Sequence, residues 1–106
     1  MMSEAYFYEQ RCKVYAAALE KWGVDSQLHV AIEEMSEVIK AITKILRIDT
    51  ASCSESDISG SLESLAEEIA DATIMLEQLQ EIFCLNAKVW EAMRSKIGRL
   101  KERVSE

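Results

Sequence analysis

Apolar residues recur along this chain at helical spacing and nowhere alternate with a period of two, which predicts helices and gives no support to a sheet. A first segment, about Glu4 to Trp22, places Tyr8, Cys12, Tyr15 and Leu19 on one face. Gly23 is a good terminator for it, because glycine takes the left-handed cap conformation without strain. Asp25 or Ser26 can then cap the next helix through a side-chain oxygen. That second segment, about Gln27 to Ile48, carries Leu28, Ile32, Met35, Ile39, Ile42 and Leu46 as its main stripe. The polar, Ser-rich stretch Asp49 to Gly60 reads as a loop. A third segment, about Ser61 to Phe83, spaces Leu62, Leu65, Ile69, Ala72, Leu76, Leu79 and Phe83 by threes and fours, the pattern of a bundle seam. Asn86 reads as the cap of a fourth segment ending near Val104. The expectation is one all-α domain over residues 1–106, a four-helix bundle. A chain this short buries only about 60–70% of its unfolded surface, so completion by oligomerisation is expected too.

Composition narrows the partners. The net charge of −7 disfavours nucleic-acid polymers, whose binders draw affinity from neutralising phosphates, and disfavours anionic membrane surfaces. A single nucleotide stays compatible with it where metal ions screen the phosphates. No stretch approaches the ~20 apolar residues of a membrane span, and no signal-peptide run follows the first residues. Cys12, Cys53 and Cys84 form no C-x-x-C pair, against a disulfide framework or zinc knuckle. Cys12 and Cys84 sit among apolar residues and read as core thiols of a reducing, cytoplasmic compartment. Trp22 and Trp90 read first as core aromatics.

The chemistry lies in two acidic motifs. The second segment contains Glu33-Glu34-Met35-Ser36-Glu37 and the third Glu67-Glu68-Ile69-Ala70-Asp71. Residues three apart share a helix face, so Glu34 pairs with Glu37 and Glu68 with Asp71. Val30, Ala31, Val38 and Ala41 surround Glu34, and Leu65, Ala72 and Met75 surround Glu68, so these carboxylates border the apolar stripe. One such motif alone is ordinary helix surface. Two on adjacent helices, with four carboxylates converging beside apolar residues, need a hard divalent cation, and oxygen-only ligation points to Mg²⁺ or Mn²⁺. Glu33 and Glu67 point further outward. Lys40 either reaches a phosphate or pairs with Glu37. Lys96, Arg99 and Arg103 either contact phosphate or complement the dipole of the last helix. His29 lies in neither motif.

The E-E-x-x-E of Glu33 to Glu37, followed about thirty residues on by the E-x-x-D of Glu68 to Asp71, resembles the signature of the MazG-type all-α nucleoside triphosphate pyrophosphatases, relatives of dimeric dUTPases and of phosphoribosyl-ATP pyrophosphohydrolase. Lys21-Trp22-Gly23 and Gln27 lead in similarly, and the likeness runs from about Tyr8 to Arg103. The resemblance implies a Mg²⁺-dependent enzyme that cleaves a nucleoside triphosphate between its α and β phosphates, giving a monophosphate and pyrophosphate. It implies Glu34, Glu37, Glu68 and Asp71 as metal ligands, and a homodimer or homotetramer whose site another subunit completes. The family's K-x-x-R pattern on the last helix is matched by Lys96 and Arg99, but Arg94 stands where an Asn often precedes. Glu37, or else Glu33, would orient or deprotonate the attacking water. Lys40, Lys96 or Arg99 would hold the pyrophosphate, and Trp22 would border the base.

Two other readings compete. A di-iron or di-manganese carboxylate bundle needs Glu-x-x-His on two helices, and the one histidine is out of register. A non-enzymatic helical interaction module fits the apolar stripes equally well but leaves Glu34 among valines and alanines unexplained.

Overall fold

In the computed structural model, which describes residues 1–49 and 51–106, the secondary structure is four helices, with no strand among the described residues. They are α1 (Glu4–Trp22), α2 (Val24–Leu46), α3 (Glu55–Ile82) and α4 (Asn86–Val104). The architecture is the all-α four-helix bundle that the periodicity predicts.

The helix ends show where local chemistry outweighs pattern. Ser3 caps α1, its side chain accepting from the Tyr6 N–H at 3.1 Å. Gly23 takes φ 84° and ψ 166°, a combination open essentially only to glycine, and its N–H donates to the Leu19 carbonyl at 2.8 Å. The sharp reversal starts α2 at once, at Val24. Asp25 and Ser26 therefore lie inside the first turn and cap nothing; Asp25 there faces the positive end of the dipole. α3 likewise begins earlier than the composition predicts. Ser54 and Asp57 form a reciprocal capping box at 3.1 and 3.4 Å, so residues 55–60 of the expected loop are helical. Asn86 is the first residue of α4 and not its cap. Its amide donates to the Glu81 carboxylate at 3.0 Å.

α2 and α3 run antiparallel, Gln27 opposite Gln78 and Glu34 opposite Glu68 and Asp71. The buried residues of α2 are Gln27, Ala31 and Ala41; those of α3 are Ala72, Met75 and Gln78. Small side chains let the two helices approach closely. The Gln78 amide donates to Gln27 Oε1 at 2.6 Å in the interior; losing one partner would strand the other at a cost of about 1–3 kcal/mol. That asymmetry holds the helices in register. α1 packs on both helices through the buried Tyr15. Arg11 donates to Glu77 through Nε at 2.8 Å and Nη2 at 3.2 Å, Tyr15 donates to Glu77 at 2.7 Å, and Tyr8 donates to Glu81 at 2.8 Å.

Several expected core positions prove exposed. Ile32, Ile39, Ile42 and Leu46 of α2, and Leu62, Ile69, Leu76 and Phe83 of α3, face outward. So do Trp22 and Trp90, and Cys84 is exposed at a positive φ of 54° in the turn before α4. Periodicity identifies the apolar positions correctly, but it does not say which neighbour covers them. Gln27 and Gln78 hold the interior places instead. No helix among the described residues is long and apolar enough to cross a membrane.

Candidate metal centre

The α2–α3 pairing brings the two acidic motifs together. One carboxylate oxygen from each of Glu34, Glu68 and Asp71 lies within 4.8 Å of the other two. Glu34 and Glu68 are half-buried and Asp71 is exposed. Among the described residues none of the three is in an ion pair or a side-chain hydrogen bond. Burial raises the Glu34 carboxyl above its ordinary range, and the charges of Asp71, Glu68, Glu37 and Glu33 raise it further. Three like charges at this spacing with no basic neighbour repel one another unless a cation joins them.

The donor set fits Mg²⁺ or Mn²⁺. All three donors are hard carboxylate oxygens.

Glu37 stands outside this group. Its carboxylate accepts from Lys40 Nζ at 3.3 Å, so of the two readings of Lys40 the structure displays the helical ion pair. Glu37 remains close enough to raise the Glu34 carboxyl. Glu33 and Glu67 are exposed, as their outward register predicts, and the Glu33 carbonyl accepts from Ser36 Oγ at 2.6 Å. Lys96 and Arg99 share a separate concavity on α4 with Leu100 and Arg103. α4 packs only against α3, and neither residue joins the carboxylates. His29 is exposed and outside the cluster.

Beside the cluster, an apolar groove of about 520 Å³ runs between the helices, lined by Trp22, Gln27, Val30, Ile74 and Gln78 among others. Val30 is one turn before Glu34 and Ile74 three residues after Asp71, so the groove ends about one helical turn from the carboxylate residues, none of which lines it. Trp22 is 57% exposed at its far end, with Lys21 Nζ 5.4 Å from the indole centroid. Sequence reasoning misses the two glutamines, because a Gln in an apolar stripe looks like a surface residue until the helix pairing is known. It also misses Glu77 and Glu81, one turn apart on α3, as the anchors of α1.

Glu34 gives a pH dependence of definite sign. Its folded-state pKa is raised, so its contribution to the ion-free fold is favourable below the usual carboxylate range and is lost as pH rises through the raised value. A cation needs the ionised form. The rise in Tm on adding Mg²⁺, followed by circular dichroism, should be full near about pH 7 and vanish near about pH 4. A rise independent of pH would place the ion elsewhere.

Comparison with family models, with curated proteins and with solved structures returned no match for this chain.

Proposed function

We propose that this protein is a Mg²⁺-dependent nucleoside triphosphate pyrophosphohydrolase of the MazG type. The observation that carries the reading is the meeting of Glu34, Glu68 and Asp71 at the α2–α3 interface, in the E-E-x-x-E and E-x-x-D motifs that suggest the family.

Glu34, Glu68 and Asp71 would hold the ion, with Glu37 the adjacent fourth carboxylate. When bound, Mg²⁺ supplies positive charge against the phosphate oxygens and the charge of the transition state. Glu37, already in contact with Lys40, takes the proton of the attacking water, with Glu33 as the alternative base. Water adds to the α-phosphorus and the bond from that phosphorus to the α–β bridging oxygen breaks. A monophosphate and pyrophosphate leave. Lys40 receives pyrophosphate charge as Glu37 is neutralised. The groove beside the cluster takes the base, which Trp22 would stack upon and which the Gln27 and Gln78 amides would face. Lys96 and Arg99 stand on α4, away from the carboxylates of their own chain; they would hold the phosphates bound by a neighbouring copy in a homodimer or homotetramer.

The test is product identification by ³¹P NMR. Monophosphate with pyrophosphate supports this cleavage; diphosphate with orthophosphate places the attack on the γ-phosphorus and contradicts it. One observation favours the interaction-module reading as a second function: a large uncovered apolar ridge on α4.

A further inference from the structure

The α2–α3 interface holds a polar pair whose hydrogen-bonding capacity is only half used. Gln27 and Gln78 are 5% and 3% exposed, and one bond joins them, from Gln78 Nε2 to Gln27 Oε1. Each amide keeps a second polar end: the NH2 group of Gln27, a donor, and Oε1 of Gln78, an acceptor. Neither end has a partner among the described residues, and neither is sealed from solvent. The opening they reach is the groove that both residues line, whose other walls include Trp22, Val30, Ile74 and Met75. An open donor beside an open acceptor, set among apolar walls, complements a flat ring whose edge carries an acceptor next to a donor.

Such edges come in two polarities. A lactam edge, as in uracil or hypoxanthine, offers a ring N–H beside a carbonyl. An amidine edge, as in cytosine or adenine, offers a bare ring nitrogen beside an amino group. The two differ only in which end donates. The glutamine pair can meet both. Turning each terminal amide by about 180°, a torsion with two broad wells, keeps the mutual bond but runs it from Gln27 Nε2 to Gln78 Oε1. The open ends then exchange, Gln27 accepting and Gln78 donating. Neither setting has fewer hydrogen bonds than the other, and no charged residue lines the groove to favour one.

We infer that Gln27 and Gln78 make the groove a binding site for planar nitrogen heterocycles that reads a donor–acceptor edge of either polarity, so that a ring bearing an amino group and its oxo counterpart bind alike. Burial, the half-used pair and the groove carry this without the cation site. Its extension to substrates rests on the pyrophosphohydrolase reading: dCTP and dUTP would then be cleaved with kcat/KM values less than about tenfold apart, a margin no larger than one hydrogen bond. The placement suits that extension. Gln27 is seven residues before Glu34 and Gln78 seven after Asp71, about 10 Å along each helix, which leaves space for a sugar between ring and phosphates.

Titration of the ¹⁵N-labelled full-length protein with cytidine and with uridine, in EDTA and followed by ¹H–¹⁵N correlation spectra, tests the site without requiring turnover. The side-chain amide signals of Gln27 and Gln78 should shift with both nucleosides, at Kd values less than about tenfold apart. 3-Methyluridine, the same ring without its donor, should bind about tenfold more weakly or worse, because an acceptor of the pair is left unmatched among apolar walls. Changing one glutamine alone would strand the other, so the variant is the double change Gln27→Met with Gln78→Met. It removes both polar partners at similar volume and should unfold near the wild-type Tm, while weakening both nucleosides by about tenfold or more. No shift of either amide, a preference of about tenfold or more for one nucleoside, or undiminished binding in the double variant would overturn the inference. Amides that shift with both nucleosides in a protein that releases no pyrophosphate would uphold the heterocycle site and remove the pyrophosphohydrolase reading.

Discussion

Glu34→Gln, Glu68→Gln and Asp71→Asn should each abolish Mg²⁺-dependent pyrophosphate release, lowering kcat/KM by roughly a thousandfold or more. The magnitude follows from the ion's role: its electrostatic contribution to the transition state is several kcal/mol, and each 1.36 kcal/mol is about tenfold in rate. An amide in place of one carboxylate removes a negative ligand and leaves an oxygen that binds magnesium weakly. The same changes should leave the ion-free fold as stable as wild type or slightly more so. The three carboxylates lie within 4.8 Å with no basic partner among the described residues, and relief of like-charge repulsion is favourable. Lost turnover with a retained or raised Tm separates a ligand from a structural residue. Retained turnover in all three variants would refute the assignment. Glu37→Gln should behave differently. Glu37 lies outside the trio and pairs with Lys40, so its loss should lower kcat more than it weakens Mg²⁺ binding.

The second large effect is on the fold. Glu77→Ala should destabilise the protein by about 2–3 kcal/mol, because it strands the Arg11 guanidinium and the Tyr15 hydroxyl together. The loss is smaller than for a fully buried charge pair because Arg11 and Glu77 are 23% and 29% exposed, and water screens them. Chemical denaturation at constant pH checks it. The pH profile has two edges. Burial acts to raise the Glu77 carboxyl, but hydrogen bonds from Arg11 and Tyr15 outweigh it and hold it below the usual range. Asn86 and Tyr8 do the same for Glu81. Depressed carboxyls contribute stability above their unfolded value of about 4.3, and that stability disappears as pH falls through the depressed values. Burial and the bond to Glu77 push Tyr15 up to about 12, so its contribution is complete below the ordinary tyrosine value near 10 and is lost as pH rises toward 12. Wild type should lose stability at both edges, and Glu77→Ala should flatten each. A profile unchanged by the substitution would show that Glu77 does not anchor α1.

Helix number, helix order and the shared face of Glu68 and Asp71 are legible in the periodicity, because a three-residue spacing fixes a face wherever the helix lies; the meeting of that pair with Glu34 depends on the α2–α3 pairing, which periodicity does not give. Boundaries are not legible where a single residue decides them. Gly23 joins α1 to α2 with no linker, and the Ser54–Asp57 box starts a helix inside a Ser-rich stretch that composition marks as loop. The core is hidden for a different reason. Ile32, Ile39, Ile69 and Leu76 are periodic but exposed, and periodicity records an apolar face without saying whether anything covers it. Glu37 lies outside the group formed by Glu34, Glu68 and Asp71 and accepts instead from Lys40, one turn away.

The most direct test of the central claim is pyrophosphate release from a panel of standard and modified nucleoside triphosphates, measured with Mg²⁺ and again with EDTA. The expected result is release with Mg²⁺, a nucleoside monophosphate as co-product, and none with EDTA. Absence of release from every substrate, together with no thermal shift on adding Mg²⁺, would contradict it and leave the carboxylate trio without its ion.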